Sequence, residues 1–140
     1  MTREPIIAAL FAKLSGIPGV VTASRVLRHF SDVSPVEQPA LFLSPVSQAV
    51  QRVRGLPPKW TIDADVYIYV NRASSDIPDS SLNVILDAIE AALAPAPAAE
   101  VQTLGGLCDH CWIEGTVQVE VGALGTQVLC TIPIRIFVSK

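Results

Sequence analysis

The sequence predicts an α+β fold in which a mostly antiparallel sheet carries two helices packed on one face. Residues 60–70 alternate between apolar and other side chains, which is typical of a strand with one buried face. Residues 2–14 and 79–93 place apolar side chains at helical spacing. Because two helix stripes and one apolar sheet face must all be buried, packing both helices on that face is the economical arrangement.

The two helices have identifiable starts and apolar stripes. The first is predicted over residues 2–14, with Thr2 as its cap. The second is predicted over residues 79–93, with Asp79 or Ser80 as its cap. The stripes consist of Ile6, Leu10, Leu14, Leu82, Ile85, Leu86, Ile89 and Leu93.

Three strands are predicted between the helices, at residues 20–30, 40–44 and 60–70, with a proline-containing loop at 31–39. One face of strand 60–70 carries Trp60, Ile62, Ala64, Val66, Ile68 and Val70. The opposite face carries Thr61, Asp63, Asp65, Tyr67 and Tyr69. The first face is therefore predicted to be buried, and the second to be polar or to lie in an interface.

The last forty residues predict two more antiparallel strands, at 113–121 and 128–138, joined by a turn at 122–125. Glycines in that turn supply the positive φ that a hairpin needs. Pro133 has no N–H to donate to a ladder, which favours an edge position or a bulge. The predicted order is α-β-β-β-α-β-β.

Residues 45–58 fit two local structures. As a helix they would share one face among Val46, Ala49, Val50 and Val53, and the same valines suit one side of a hairpin. Gly55, Pro57 and Pro58 follow at once, which favours an extended arm or loop. This arm would belong to a single domain that spans residues 1–140.

Length and composition indicate one soluble domain. The chain has 140 residues, 50% of them hydrophobic and 16% charged, which suffices for a core and argues against disorder. No apolar run approaches the roughly 18 residues that span a membrane. Arg3, Glu4 and Pro5 stand where a signal peptide would be basic and then uninterruptedly apolar. We therefore expect a soluble, cytoplasmic protein with no membrane partner.

Charge is distributed unevenly along the chain. Residues 1–60 hold seven Lys/Arg against three Asp/Glu, whereas residues 61–140 hold three against ten. Such a split is typical of a nucleic-acid surface or of two self-complementary faces. The basic residues are scattered and few aromatics accompany them, which favours self-complementary faces and argues against sequence-specific nucleic-acid binding.

One run carries the residue types of site chemistry, Cys108-Asp109-His110-Cys111. A zinc site needs further ligands, and the other candidates are Cys130, in a predicted core face, and the distant His29. A thioredoxin-like pair should open a helix, whereas this run precedes a strand. Two ordinary thiols are the favoured interpretation, and an odd cysteine count argues against a disulfide framework. We expect no metal, no cofactor and no catalytic residue.

Four side chains on the polar face of strand 60–70 are candidates for an interface. Asp63 and Asp65 resemble a catalytic carboxylate pair, but no histidine or other carboxylate joins them, so a solvated or interfacial face is favoured. Tyr67 and Tyr69 are aromatic residues on a supposedly wet face, where something often covers them. The cover is either a loop of the same chain or another subunit.

Four segments, taken in their order and spacing, resemble the tail terminator, or tail completion, family of long-tailed bacteriophages and prophages (minor tail protein U-like). The segments are 25–42, 54–70, 82–93 and 102–115. The strongest parts are Gly-Leu-Pro-Pro-Lys-Trp at 55–60 and Leu-Gly-Gly-Leu followed by Trp-Ile-Glu-Gly within 104–115. The resemblance runs over most of the chain and rests on pattern, since the family has no catalytic signature.

The resemblance implies a ring protein, usually a hexamer, on the head-proximal end of the tail tube. Such a ring stops tube polymerisation and offers a surface to the head connector. Its partners would be copies of itself, the tail tube protein and the connector or neck proteins. It would be assembled in the host cytoplasm and lie in the tail or neck of the virion. The α+β fold implied by the family agrees with the one read from the residues.

Two alternatives remain beside the terminator. One is another neck protein, such as a head-completion or tail-to-head joining factor. The other is a small thiol or metal protein that uses Cys108 and Cys111. For the structural protein, the predicted interface residues are Arg52, Arg54, Lys59, Asp63, Asp65, Tyr67 and Tyr69.

Overall fold

The computed structural model describes residues 1–71, 80–124 and 126–139. Within them lie two helices, six strands and two short 3₁₀ turns. The helices are α1 (Arg3–Ser15) and α2 (Ser80–Ala92). The strands are β1 (Thr22–Ser24), β2 (Ala40–Gln51), β3 (Lys59–Asn71), β4 (His110–Ile113), β5 (Gln118–Leu124) and β6 (Gln127–Val138). The predicted cap Asp79 and Gly125 of the predicted turn lie outside the described residues.

The strands form a single sheet in the order β1-β2-β3-β6-β4, and β5 also pairs with β6. Only the short β1 runs parallel to its neighbour, while the other pairs are antiparallel. Both helices pack on the same face of this sheet. The predicted α+β class is confirmed.

The core lies between the two helices and the sheet. α1 contributes Ile6, Leu10 and Leu14, and α2 contributes Leu82, Ile85 and Ile89. The sheet contributes the alternate residues of β3 and β6 that point to the helices: Ile62, Ala64, Val66, Ile68, Val70, Val128, Cys130, Ile132, Ile134, Ile136 and Val138. Each fully buried Leu or Ile stabilises the fold by roughly 1.5–3 kcal/mol relative to leaving it exposed. Thr2 holds the N-cap position of α1, although its side chain makes no capping hydrogen bond.

The predicted strand at 20–30 is wrong over most of its length, because only Thr22–Ser24 is strand. The following residues leave the edge of the sheet and cross the face opposite the helices. Arg28 forms an ion pair with Glu37 there, and Val26 is 73% exposed. The partial alternation of 20–30 therefore does not correspond to one buried face.

The predicted strand at 113–121 is two strands. β4 pairs with residues 134–137 of β6, and β5 pairs with residues 127–131. Gly115 lies between them at a φ of 113°, and a Cβ there would stand 3.2 Å from the Pro133 side chain. A side chain at Gly115 would thus be strained both in backbone and in packing.

The placement of Pro133 corrects the expected edge or bulge. Pro133 lies in β6, an interior strand, opposite Asp65 of β3. Its carbonyl accepts a hydrogen bond from the Glu114 amide, 3.2 Å away, so its backbone polar groups face the junction of β4 and β5. The missing N–H therefore lies where no strand is available to accept it.

Residues 45–58 form the outer part of the β2–β3 hairpin. β2 continues to Gln51 and pairs with β3, after a register shift between Pro45 and Ser47. Residues 52–58 connect the two strands, and Gly55 adopts a φ of 83° there, which favours glycine. We keep the name arm for residues 45–58.

Candidate functional site: surfaces for assembly

The tip of the arm is basic. Arg52, Arg54 and Lys59 are exposed, and none forms an ion pair with the part of the chain that the structure describes. No Asp or Glu occurs between residues 45 and 59. Val50, Val53 and Leu56 are exposed apolar side chains near these cations in the chain, and Val46 is exposed at the other end of the arm. The tip therefore presents both positive charge and apolar surface to a partner.

The paired strands of the arm are held against α1. The Arg3 guanidinium lies 4.6 Å from the centroid of the Trp60 ring, within the range of a cation–π contact. Arg3 Nε also donates a hydrogen bond to Gln48 Oε1 over 2.6 Å. These contacts join the first turn of α1 to both strands of the hairpin.

Asp63 lies on the face of the sheet opposite the helices, where it takes part in an ion-pair network. Arg135 Nε donates to Asp63 Oδ1 over 2.8 Å, and the Arg135 guanidinium also contacts Glu114. The hydrogen bond to Asp63 is the largest influence on the guanidinium and raises its pKa. Asp63 therefore forms its ion pair within its own chain.

Asp65 lies next along the same face and has no cation beside it in the described ranges. Partial burial raises the pKa of the Asp65 carboxyl, and the charge of Asp63 adds to this, while a hydrogen bond from Tyr67 opposes it. Burial also raises the pKa of the Tyr67 hydroxyl. The pair forms a half-buried polar patch on the sheet.

The two tyrosines have different surroundings. Tyr69 is only 5% exposed, and its hydroxyl donates to the carbonyl of Arg28 over 2.8 Å. Its ring packs 5.4 Å from that of Phe42, beside the buried Val33. Tyr67 is half-buried and lines a shallow cavity of about 210 Å³ together with residues of β5 and β6. A loop of the same chain therefore covers Tyr69, whereas Tyr67 is open on one side.

The predicted interface residues thus form two groups. Arg52 and Arg54 lie at the tip of the arm with Lys59 next to them at the start of β3, while the two aspartates and Tyr67 lie further along the sheet. Lys59 and Asp63 share one face of β3 but stand about 13 Å apart along the strand, at roughly 3.3 Å per residue. The structure does not bring the two groups together.

The three cysteines are buried, and within the described residues none of them forms a disulfide. Burial raises the pKa of the Cys111 thiol to about 12, with a contribution from Cys108, and that of Cys130 to about 11. His110 Nδ1 accepts a hydrogen bond from the Gln102 amide, and its ring stacks on Trp112. In the described ranges no group of three or more His, Cys, Asp or Glu could hold a metal ion. Cys111 and Cys130 are therefore protonated at neutral pH and are poor nucleophiles.

The sequence did not reveal a groove between α2 and strands β4 and β5. Its cavity measures about 730 Å³ and opens on the helix side of the sheet. Its apolar lining is formed by Leu86, Leu93, Trp112, Ile113, Val117 and Ile132. Asp87 and Glu90, both exposed on α2, form an acidic rim. We call this surface the α2 groove.

The apolar lining of the α2 groove continues along β5. Val119 and Val121 pair with Cys130 and Val128 of β6, so they point to the helix side of the sheet. Both remain exposed, Val119 by 44%. Their alternation is that of inward-facing residues, and the sequence does not show that they remain exposed.

Comparisons with known proteins identify a similar fold. No known protein family matches the sequence, and no curated protein matches it. Among solved structures, the chain resembles one in the virion of a native gene transfer agent (GTA) particle, with a TM-score of 0.65 and 12% sequence identity. The match covers 99% of this chain and 100% of that one. At this identity the likeness shows a shared fold.

The described helices include none that is long and apolar enough to cross a membrane.

Proposed function

We propose that the chain is a structural protein of a phage-like virion. The observation that carries this proposal is the likeness in fold, over essentially the whole of both chains, to a component of a gene transfer agent virion. Open apolar and charged surfaces at both sides of the sheet suit a protein that works by contact with other chains. Burial keeps the Cys111 and Cys130 thiols protonated at neutral pH, which is unsuited to the chemistry of a thiol enzyme.

Within that class, we propose a tail terminator. The sequence resemblance over most of the chain supports this choice, as does the exposed connection 52–58 at the tip of the arm, which extends beyond the paired strands. A ring of copies, six in the resembling family, would sit on the head-proximal end of the tail tube, end its polymerisation and receive the head connector. The protein acts by binding and catalyses no reaction in this proposal.

Negative-stain electron microscopy tests both the general structural role and the specific role as a tail terminator. The purified protein is imaged alone and after mixing with tail tubes, and its mass is measured by light scattering after size exclusion. We expect closed rings, and rings at one end of each tube. Tube protein polymerised with and without the chain provides the control, since a terminator stops elongation.

Other outcomes are equally informative. A chain that stays monomeric at high concentration and low salt, and also in the presence of tubes, contradicts the ring. A chain that binds purified connectors and leaves tube elongation unchanged is a head-completion or tail-to-head joining factor instead.

A further inference from the structure

We propose that the arm of one copy docks in the α2 groove of the next copy, a contact that rests on the proposed ring and specifies how it closes. The partner is thus a second copy of this chain, joined head to tail. Two different surfaces meet in such a contact, and they generate a ring when the rotation between copies closes.

The first support is chemical complementarity. The arm tip carries Arg52 and Arg54 with no acidic residue beside them, and the α2 groove is rimmed by Asp87 and Glu90. All four side chains are exposed. Neither pair is neutralised by a neighbour in the part of the chain that the structure describes. Opposite charges of this kind steer encounter and fix register.

The second support is apolar surface on both sides. Leu56 is 60% exposed and Val53 lies exposed beside the arginines. The groove offers an apolar floor, extended along β5 by exposed valines. Exposed apolar surface rimmed by polar residues marks an interaction site. Burying the tip in the groove would remove both apolar surfaces from water at once.

The third support is the position of the two surfaces, which prevents a copy from filling its own groove. Trp60, next to the connection 52–58, pairs with Val138 at the end of β6, so residues 52–58 lie beyond that end. The groove lies beside Ile132, six residues back along β6, or about 20 Å at 3.3 Å per residue. β3 and β6 also stand between β2 and the groove strands.

Paired charge reversal tests the contact. One variant carries Arg52→Glu with Arg54→Glu, and the other carries Asp87→Lys with Glu90→Lys. In each variant alone, arm and groove have like charge, so the concentration at which half the chain is in rings should rise by about tenfold or more. Mixed in equal amounts, the two variants can alternate around an even-numbered ring with every contact attractive. Mixing should therefore restore assembly.

Matched controls separate this effect from general changes of charge or folding. Lys13 and Glu100 are also exposed and lie outside both surfaces. Lys13→Glu and Glu100→Lys should each form rings as the natural sequence does. Circular dichroism and thermal unfolding should be unchanged in all four variants, because the reversed side chains are exposed and unpaired within the described chain. Ring formation is followed by sedimentation velocity at low salt, with and without tail tubes.

Each possible outcome either supports or overturns the proposed contact. Loss of rings in both variants and recovery on mixing supports the contact. Rings in both variants alone overturn it and leave the proposed function intact. Loss without recovery also overturns it, since arm and groove would then meet other partners. Intact rings that no longer cap tubes would assign the arm to the tube and overturn the contact. If the natural chain never forms rings, the proposed terminator function is contradicted as well.

Discussion

At the scale of single residues, neighbouring side chains on one strand have separate roles. Tyr69 is fixed by the loop that crosses the sheet, while Tyr67, two residues earlier, borders open space beside Asp65. The hydroxyl of Tyr69 therefore contributes to folding, and Tyr67 is the one available to a partner. Sequence periodicity assigns both to the same face and cannot tell which one a distant loop covers.

Removing each hydroxyl measures this difference. Tyr69→Phe leaves the carbonyl of Arg28 without its donor and should lower the free energy of unfolding by about 1 kcal/mol, the usual contribution of such a bond. Tyr67→Phe is the matched control and should cost less, since its partner Asp65 can bind water. Urea denaturation measures both. Equal losses would contradict the assignment of Tyr69 to the covered position.

The buried thiols predict the pH dependence of stability. The pKa of Cys111 is raised in the folded state from 9.0 to about 12, so the folded chain holds its proton where the unfolded chain has lost it. Its contribution is fully present below pH 9 and is lost as the pH rises towards 12, at up to about 1.4 kcal/mol per pH unit.

The variant Cys111→Ala isolates this contribution from the tyrosines, whose raised pKa values act in the same direction. Its unfolding free energy should fall less steeply between pH 9 and 12 than that of the natural chain. Parallel curves would mean that the thiol is not buried.

Metal analysis of the natural protein is a separate check, in which we expect no stoichiometric zinc.

At the scale of elements, α2 separates core from surface within one turn. Ile85 and Ile89 are buried against the sheet, whereas Val84 is 67% exposed. Ile85→Asp or Ile89→Asp should place an unpaired charge in the core and cost several kcal/mol, enough to prevent folding. Val84→Asp is the matched control and should change thermal stability little. A stable Ile89→Asp protein would show that α2 packs elsewhere.

The sequence predicts long elements better than junctions. The strict alternation of β3 and the stripes of both helices correspond to the structure because burial on one face dictates them. The strand predicted at 20–30 is too long because the chain leaves the sheet after Ser24 and crosses the face opposite the helices, where Arg28 contacts Tyr69 and Glu37. The prediction of a single strand at 113–121 is wrong for a similar reason. The break between β4 and β5 occurs where Gly115 packs on Pro133, and these two residues meet only in the folded chain.

The α2 groove could not be predicted for a related reason. Leu86 reads as one more residue of the helix stripe, and Val117 as one more inward residue of a strand. Whether these two side chains are covered depends on which elements pack over them, and that is a property of the folded chain. The basic tip of the arm was predictable, because charge and proline content are local.

At the scale of the whole molecule, the uneven charge predicts that assembly depends on salt. The arm side is basic and the groove side is acidic, so ring formation should weaken as sodium chloride rises from 50 to 500 mM. The Debye length falls from about 10 Å at 0.1 M to about 3 Å at 1 M, which screens exposed pairs.

Sedimentation at several salt concentrations measures this dependence. The control is a variant that lacks all four charges, with Arg52→Gln, Arg54→Gln, Asp87→Asn and Glu90→Gln. Its net charge is that of the natural chain, and its assembly should depend little on salt. Rings of the natural chain that are indifferent to salt would mean that apolar contact alone holds them.

The junction at Pro133 has a consequence for local stability. Since β4 and β5 share the same edge of β6 without touching one another through a ladder, β5 can open while β4 stays closed. Segments with exposed side chains on a sheet edge open at lower free energy than the centre. Amide hydrogens of β5 should therefore exchange with deuterium well before those of β3. Assembly that covers Val117 and its neighbours would close this unit, so the same amides would become slow in the ring.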